Sequence, residues 1–286
     1  MTCHHFNNMK KLLISFSGGR TSAYMTYFLC KEWSDRHKYD IKVVFANTGK
    51  EVENTLFFVD ECSQEWDIPI TWIEGYPKET GKGWGVNYKI VNYETASRNG
   101  EPFEAMISRI GLPSQSAPFC SPQLKKAPIK SYANSIWRGQ DYYIAIGIRV
   151  DEQKRINKNH VKNKIIYPLA YINPVTKIDI KNWWDKQSFD LNIHPDDGNC
   201  DACWKKSFPT LARIMNRSPS AFDWWQEMTD KYSNFNPRNS ELNQSFYRGG
   251  KSILDIKKMS DMSQAELRQL TMFDKLDGCA ESCEVF

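Results

Sequence analysis

Residues 17–22 (SGGRTS) combine two glycines with three hydroxyl side chains. Glycines permit a tight turn in which backbone N–H groups approach an anion, and the start of a following helix adds a partial positive charge. Such a turn suits a phosphate or a pyrophosphate, although a glycine pair between a strand and a helix also occurs without any ligand. The spacing and the lysine of a Walker A loop are absent. The candidate ligands are Ser17, Gly18, Gly19, Arg20, Thr21 and Ser22.

Two further stretches carry groups that could bind the same anion. Arg149 and Arg155 flank the carboxylates Asp151 and Glu152, and guanidinium groups match the oxygens of phosphate or sulfate. The alternative is a solvated surface loop with internal ion pairs.

A turn predicted at the end of a strand holds the second set of polar groups. Its side chains and backbone could contact a ribose or an adenine, or could form an ordinary strand-to-helix turn. The residues concerned are Asn47, Thr48 and Gly49.

The Cys200-x-x-Cys203 pair has the spacing of a zinc knuckle or of half an iron–sulfur site. Tetrahedral thiolate coordination suits zinc and iron–sulfur alike, so the spacing leaves the metal open. Inert buried cysteines without a metal are the alternative. His194, six residues before Cys200, is a weaker candidate ligand.

A basic run includes Arg155. Residues 154–164 contain five Lys or Arg side chains around His160. Such a run could bind a nucleic-acid backbone, and it could equally be a solvated face.

The elements that must position these groups alternate between strand-like and helical patterns. Strands are predicted at 11–17, 41–46, 69–72 and 141–148, and helices from residue 23 to about 33 and over 53–66. This alternation predicts an α/β fold, a Rossmann-like parallel sheet covered by helices, with ligands at the carboxyl ends of the strands. Residues 74–116 are interpreted as a loop-and-helix excursion. We predict an N-terminal extension (1–10), a nucleotide-binding α/β domain (11–206) and a helical C-terminal region with a cysteine-containing tail (207–286).

Composition excludes few function classes. The chain has 286 residues, 41% of them apolar and 25% charged, with a net charge of +4. No apolar run approaches the ~18 residues that a membrane span requires, and the N-terminus lacks a secretory signal. We therefore expect a cytoplasmic protein without membrane partners, whose eight cysteines are thiols or metal ligands.

Four stretches together resemble the phosphoadenosine phosphosulfate (PAPS) reductase family of the PP-loop, adenine-nucleotide alpha-hydrolase-like superfamily, in its divergent phage and bacterial form. They are SFSGGRTS (15–22), FANTGKE (45–51), FCSPQLKKAP (119–128) and IGIRVDEQKR (146–155). The resemblance implies that ATP or PAPS binds at residues 17–22, and it makes magnesium a candidate accompanying ion.

The resemblance also implies roles for cysteines outside the C-x-x-C pair. In family members with a [4Fe-4S] cluster, a Cys-Cys pair precedes a C-x-x-C by about the distance that separates Cys120 from Cys200. Position 121 is serine here, so Cys279 or Cys283 is the candidate for a fourth ligand. Family reductases use a cysteine near the C-terminus as nucleophile, which points to Cys283. The glycine and histidine of their motif are absent around it.

Three functions follow as expectations. The first is a PAPS reductase-like oxidoreductase that uses Cys283 and a thiol electron donor. The second is an ATP-dependent, iron–sulfur-dependent sulfurtransferase that thiolates a base or the backbone of nucleic acid with sulfur from a donor. The third is a zinc-stabilised nucleic-acid-binding module with a vestigial nucleotide site.

Overall fold

A six-stranded mixed sheet forms the centre of the molecule, in a computed structural model that describes residues 9–81, 83–114, 118–235 and 246–271. The strand order is β4-β3-β2-β1-β5-β6, and every neighbouring pair is parallel except β3 with β4. The strands are β1 (Lys10–Phe16), β2 (Tyr39–Asn47), β3 (Ile70–Thr80), β4 (Gly83–Val91), β5 (Tyr143–Ala145) and β6 (Ile165–Ile166). The predicted Rossmann-like α/β fold is confirmed.

Both faces of the sheet are covered by helices. Alternate residues of β1 point to opposite faces, so Leu12 and Ile14 join one buried cluster and Leu13 joins another. The helices are α1 (Arg20–Tyr27), α2 (Glu53–Trp66), α3 (Glu101–Ile110), α4 (Ala127–Ile136), α5 (Pro168–Tyr171), α6 (Lys177–Trp184), α7 (Phe208–Arg217), α8 (Asp223–Tyr232), α9 (Ile253–Ser260) and α10 (Gln264–Thr271). In the part of the chain described, none of them is both long enough and apolar enough to cross a bilayer.

The β3–β4 hairpin corrects the sequence-based interpretation of residues 74–116. The third strand continues to Thr80 and pairs with an antiparallel β4, and a helix, α3, follows. Most of β4 is only half-buried. Because neither face of it is deeply buried, its sequence lacks the apolar alternation that identifies a strand.

The helices after residue 207 share a third buried cluster with residues 103–124. Trp204 and Trp225 pack in this cluster beside Phe103 and Phe119. The described helices α7 to α10 fall within the helical region predicted for residues 207–286, whereas the boundary at residue 206 stays a prediction. Cys279, Cys283 and residues 1–8 lie outside the described residues.

Candidate functional site

The carboxyl ends of β1 and β2 lie side by side. The register pairs Lys10 with Tyr39 and Phe16 with Phe45, so both strands reach the same edge of the sheet. Residues 17–22, called the glycine loop below, and residues 47–52 therefore emerge together. A parallel sheet opens its ligand crevice at this edge.

Hydrogen bonds of two serine hydroxyls fix the conformation of the glycine loop. Ser22 Oγ donates to the carbonyl of Gly19 at 2.9 Å and accepts from the Ser17 hydroxyl at 2.9 Å. Gly18 has φ = +83°, a conformation that favours glycine, and a Cβ there would lie 2.7 Å from Thr55 Cγ2. Helix α1 begins at Arg20, so its first N–H groups lie at the same place as the loop.

A pocket of about 380 Å³ adjoins the glycine loop and is lined by four cationic side chains. We call it the arginine pocket; its cations are Arg20, Arg149, Lys177 and Lys181. Arg149 donates to Thr21 Oγ1 at 3.0 Å, so these two segments are in direct contact. Arg20 makes a two-point ion pair with Asp190 at 2.6 and 2.7 Å. The volume falls in the range of small-molecule sites.

The other members of the predicted arginine–carboxylate set lie further out. Asp151 accepts from Arg149 Nε at 3.0 Å, and Arg155 is bound to Glu152, which also accepts the backbone N–H of Arg149. Neither Asp151 nor Arg155 is among the residues that line the arginine pocket. Of the two predicted arginines, Arg149 is therefore the one beside the loop.

Buried carboxylates shape the turn at residues 47–51. Asn47 donates its amide to Glu74 at 2.7 Å and accepts from the Gly49 N–H at 3.1 Å. Thr48 donates both its N–H and its hydroxyl to Glu51 at 2.8 Å. These bonds use most of the polar capacity of the Asn47 and Thr48 side chains, so their contact with a nucleotide stays a prediction.

Three of the predicted cysteines line one pocket. A π-helical segment, Cys120–Lys126, precedes α4 and brings Cys120 to the same cavity as Cys200 and Cys203. We call this cavity the cysteine pocket. Its full lining is Thr48, Phe103, Cys120, Ser121, Lys125, Gly198, Asn199, Cys200, Cys203, Trp204, Lys205, Lys206 and Trp225.

Two buried ion pairs lie next to the cysteine pocket. Glu51 Oε1 lies 3.4 Å from Lys125 Nζ and 3.8 Å from Cys200 Sγ. Lys50 pairs with Asp201 at 3.0 Å, and burial raises the pKa of the Asp201 carboxyl although Lys50 opposes that shift. Because buried charges are costly unless paired, these contacts fix the 47–52 turn against the segment that carries the C-x-x-C pair.

Asn199 connects the cysteine pocket to the glycine loop. Its side-chain amide donates to the backbone carbonyl of Ser17, and the backbone carbonyl of Asn199 accepts from the Val52 N–H at 2.9 Å. Asn199 is 3% exposed and also lines the cysteine pocket. The two candidate sites are therefore in direct contact through one buried residue.

Three of the predicted metal ligands line one pocket, and the metal centre itself stays a prediction. The three thiols are the donor type that zinc and iron–sulfur clusters use, and they face one cavity. Across residues 9–271, omitting the undescribed gaps, no three His, Cys, Asp or Glu side chains form a metal-ligand set. The candidate fourth ligands Cys279 and Cys283 are not described, and His194 contacts Arg217 at 2.8 Å rather than lining the pocket.

The basic run at 154–164 is a turn-rich surface segment. Lys154, Lys158 and Lys162 are exposed, whereas His160 stacks on Tyr171 with its ring nitrogen 3.2 Å from the Ile165 carbonyl. The histidine therefore has a packing role, and the lysines remain the candidate contacts for nucleic acid.

A relative with a matching length identifies the family. The nin region protein ORF290 of Escherichia phage lambda is 32% identical to the chain over 280 residues, which cover 96% of this chain and 94% of that protein. The chain belongs to the ORF290 family. Protein MJ0066 of Methanocaldococcus jannaschii is 22% identical over 245 residues, 78% of this chain and 42% of that protein.

A comparison with solved structures adds one distant likeness for this ORF290-family chain. No protein-family model matches the chain. The U34-tRNA thiolase NcsA from Methanococcus maripaludis, solved with its [4Fe-4S] cluster, has a TM-score of 0.38 and 14% identity, covering 83% of this chain and 78% of that one.

Several residues at this site of the ORF290-family chain are not predicted from the sequence. Asp190, Asn199 and Asp201 bind partners that lie about 150 to 180 positions away in sequence. The burial of Glu51 and Lys206 is equally hidden, because charged residues are exposed by default. The available signal was position: Glu51 follows the end of β2, and Asn199, Asp201 and Lys206 lie beside the C-x-x-C pair, whereas nothing local marks Asp190.

Proposed function

We propose that this chain is a PP-loop enzyme that binds an adenine nucleotide at the glycine loop and transfers sulfur through the cysteine pocket. The observation that carries the proposal is the bond from Asn199, a lining residue of the cysteine pocket, to the carbonyl of Ser17 in the glycine loop. A nucleotide on the loop would lie beside thiols, which is the juxtaposition that nucleotide-coupled sulfur chemistry requires.

The nucleotide phosphates would lie between the glycine loop and the arginine pocket. The N-terminus of α1 supplies backbone N–H donors, and Arg149 contacts the loop hydroxyl of Thr21. To bind a phosphate oxygen, Arg20 would break its ion pair with Asp190 or keep only part of it. Magnesium is the proposed counter-ion for a triphosphate.

The proposed reaction replaces an oxygen by sulfur. A carbonyl-type oxygen of the acceptor attacks the α-phosphorus of ATP, and pyrophosphate leaves. A sulfide-level sulfur held at the cysteine pocket then attacks the activated carbon, and AMP leaves with the original oxygen. The net change is ATP, acceptor oxygen and hydrosulfide to AMP, pyrophosphate and the thiolated acceptor, so no electron donor is needed.

Sulfur transfer suits the described residues better than PAPS reduction. Three thiols already meet at one pocket without any contribution from the tail. A PAPS reductase would instead depend on Cys283, whose flanking Glu281 and Glu284 disfavour a reactive thiolate. Reduction of a sulfonucleotide is therefore the competing outcome of the test below.

Nucleic acid is the proposed acceptor. The basic segment, residues 154–164, begins five positions after Arg149, which lines the arginine pocket, and carries the exposed side chains of Lys154, Lys158 and Lys162. A phosphate backbone bound along this segment would bring a base carbonyl oxygen toward the nucleotide.

A metal centre at the cysteine pocket is part of the proposal. Cys120, Cys200 and Cys203 would be its ligands, with Cys279 or Cys283 as a fourth. A bound iron–sulfur cluster would hold a transferable sulfur, whereas zinc would stabilise the segment 199–203. Iron, zinc and acid-labile sulfide measured on protein purified without oxygen distinguish the two.

The experiment compares ATP and PAPS as substrates. Purified protein is incubated with each nucleotide, a sulfide source and RNA or DNA, and AMP, pyrophosphate, sulfite and thiolated nucleosides are measured. We expect AMP and thiolated nucleosides from ATP, with loss of thiolation in Cys200→Ser and retention in Cys62→Ser, whose thiol is buried away from the pocket. Sulfite formed from PAPS without ATP turnover would refute the proposal in favour of a reductase.

A further inference from the structure

The indole N–H of Trp204 is a buried donor at the cysteine pocket. Trp204 lines the pocket and is 6% exposed, and its Nε1 has no acceptor within hydrogen-bond distance among the described residues. The neighbouring Trp225, in contrast, donates its indole N–H to Asp201 at 3.2 Å. Buried donors are nearly always satisfied, so an acceptor that belongs to a ligand is the simplest partner for Trp204.

A buried ammonium group lies at the same cavity. Lys206 is 3% exposed and donates to the backbone carbonyl of Asp196 at 2.8 Å. In the described part of the chain that bond engages one of its three N–H donors. A Cβ at Gly198, another lining residue, would lie 3.2 Å from Lys206 Nζ, so the glycine leaves space around the ammonium.

The charge and the size of the cavity restrict what could bind there. Lys125, Lys205 and Lys206 line it, and no described Asp or Glu does. The cavity volume is about 40 Å³, about one tenth of the arginine pocket. That is room for about three water molecules, which is enough for a small anion.

We infer that the cysteine pocket is a binding site for a small sulfur anion, with Trp204 Nε1 as its directional donor and Lys206 as its counter-charge. The inference rests on the proposed function, since sulfur transfer at this pocket is what would require a sulfur species rather than another anion. Hydrosulfide and sulfite share the required size and charge. Hydrosulfide would be the donor for sulfur insertion, and sulfite would be the product of a reduction.

The test is calorimetric titration of the full chain, under reducing and oxygen-free conditions, with sodium hydrosulfide and with sodium sulfite. Phosphate and chloride are the control anions. We expect one of the two sulfur anions to bind at least about tenfold more tightly than either control. Trp204→Phe should weaken that binding about tenfold or more, because a hydrogen bond to a charged group is lost.

Matched variants separate binding from folding. Trp137→Phe removes a buried indole N–H that donates to Asp40, far from the pocket, and should leave the affinity unchanged. Gly198→Ala leaves Lys206 intact but crowds its ammonium, so it should also weaken binding.

Sulfur anions that bind no more tightly than chloride, or a Trp204→Phe variant that binds like the parent chain, would overturn the inference. A parallel titration with ATP shows which idea has failed. ATP binding without anion binding refutes this inference alone, and anion binding without ATP binding refutes the proposed function alone.

Discussion

Substitution of Gly18 by alanine should destabilise the chain through two separate effects. The residue has φ = +83°, and a side chain in this region costs about 1–2 kcal/mol. The new Cβ would also lie 2.7 Å from Thr55 Cγ2 and 3.2 Å from the Phe45 ring, and overpacking of this kind costs about 1–3 kcal/mol. We expect Gly18→Ala to lower the free energy of unfolding by about 2–5 kcal/mol.

A double-mutant cycle isolates the steric effect. Thr55→Ser removes the methyl group that the new Cβ would meet, at a cost of about 1 kcal/mol for the lost burial. The double variant should therefore be about 1–2 kcal/mol more stable than the sum of the single effects predicts, since the clash is relieved and the backbone strain is not.

Gly139→Ala supplies the matched control. Gly139 has φ = +73°, and a Cβ added there would meet nothing within 4 Å, so its substitution reports the backbone cost alone. The free energies come from urea unfolding of the parent chain and the four variants. The reasoning is refuted if the two effects at Gly18 and Thr55 add within about 0.5 kcal/mol, or if Gly18→Ala costs no more than Gly139→Ala.

Three further predictions concern the charges and thiols. Glu51→Gln should lower the free energy of unfolding by about 3 kcal/mol because it leaves a buried lysine without its anionic partner, and an unchanged urea midpoint would contradict this. Arg213 lowers the pKa of the Asp196 carboxyl. The stability that this ion pair contributes is therefore complete above the ordinary carboxyl pKa near 4 and is lost as pH falls through the lowered pKa. The free energy of unfolding measured from pH 7 to pH 2 should fall less steeply in Asp196→Asn. Burial raises the pKa of Cys30 to about 12 and raises that of Cys62 further, so iodoacetamide at pH 8 followed by peptide mass spectrometry should find both thiols unmodified in folded protein and modified in urea.

Local patterns in the sequence predict the half of the site that is built locally. The apolar run of β1, the glycine loop and the start of α1 are consecutive, so propensity and periodicity suffice to predict them. The same holds for β2 and α2. The partnership of Arg149 with the loop follows from the rule that the carboxyl ends of parallel strands meet at one edge.

The other half depends on contacts that no local pattern records. Glu51 and Lys125 are buried charged residues that pair with each other across 74 positions, and the buried Lys206 donates to the backbone carbonyl of Asp196. The two-residue strand β6 is too short to have any periodicity. The β3–β4 hairpin escapes prediction because β4 is half-buried on both faces.

The anchoring of the glycine loop has a consequence for the order in which the protein assembles. Arg20 pairs with Asp190, 170 positions later, and Ser17 accepts from Asn199, 182 positions later. During synthesis the loop leaves the ribosome about 170 to 180 residues before these partners do. The ribosome-bound chain would thus carry the strand and helix of the site long before it could hold the loop in place, which makes completion of this site a late event in folding.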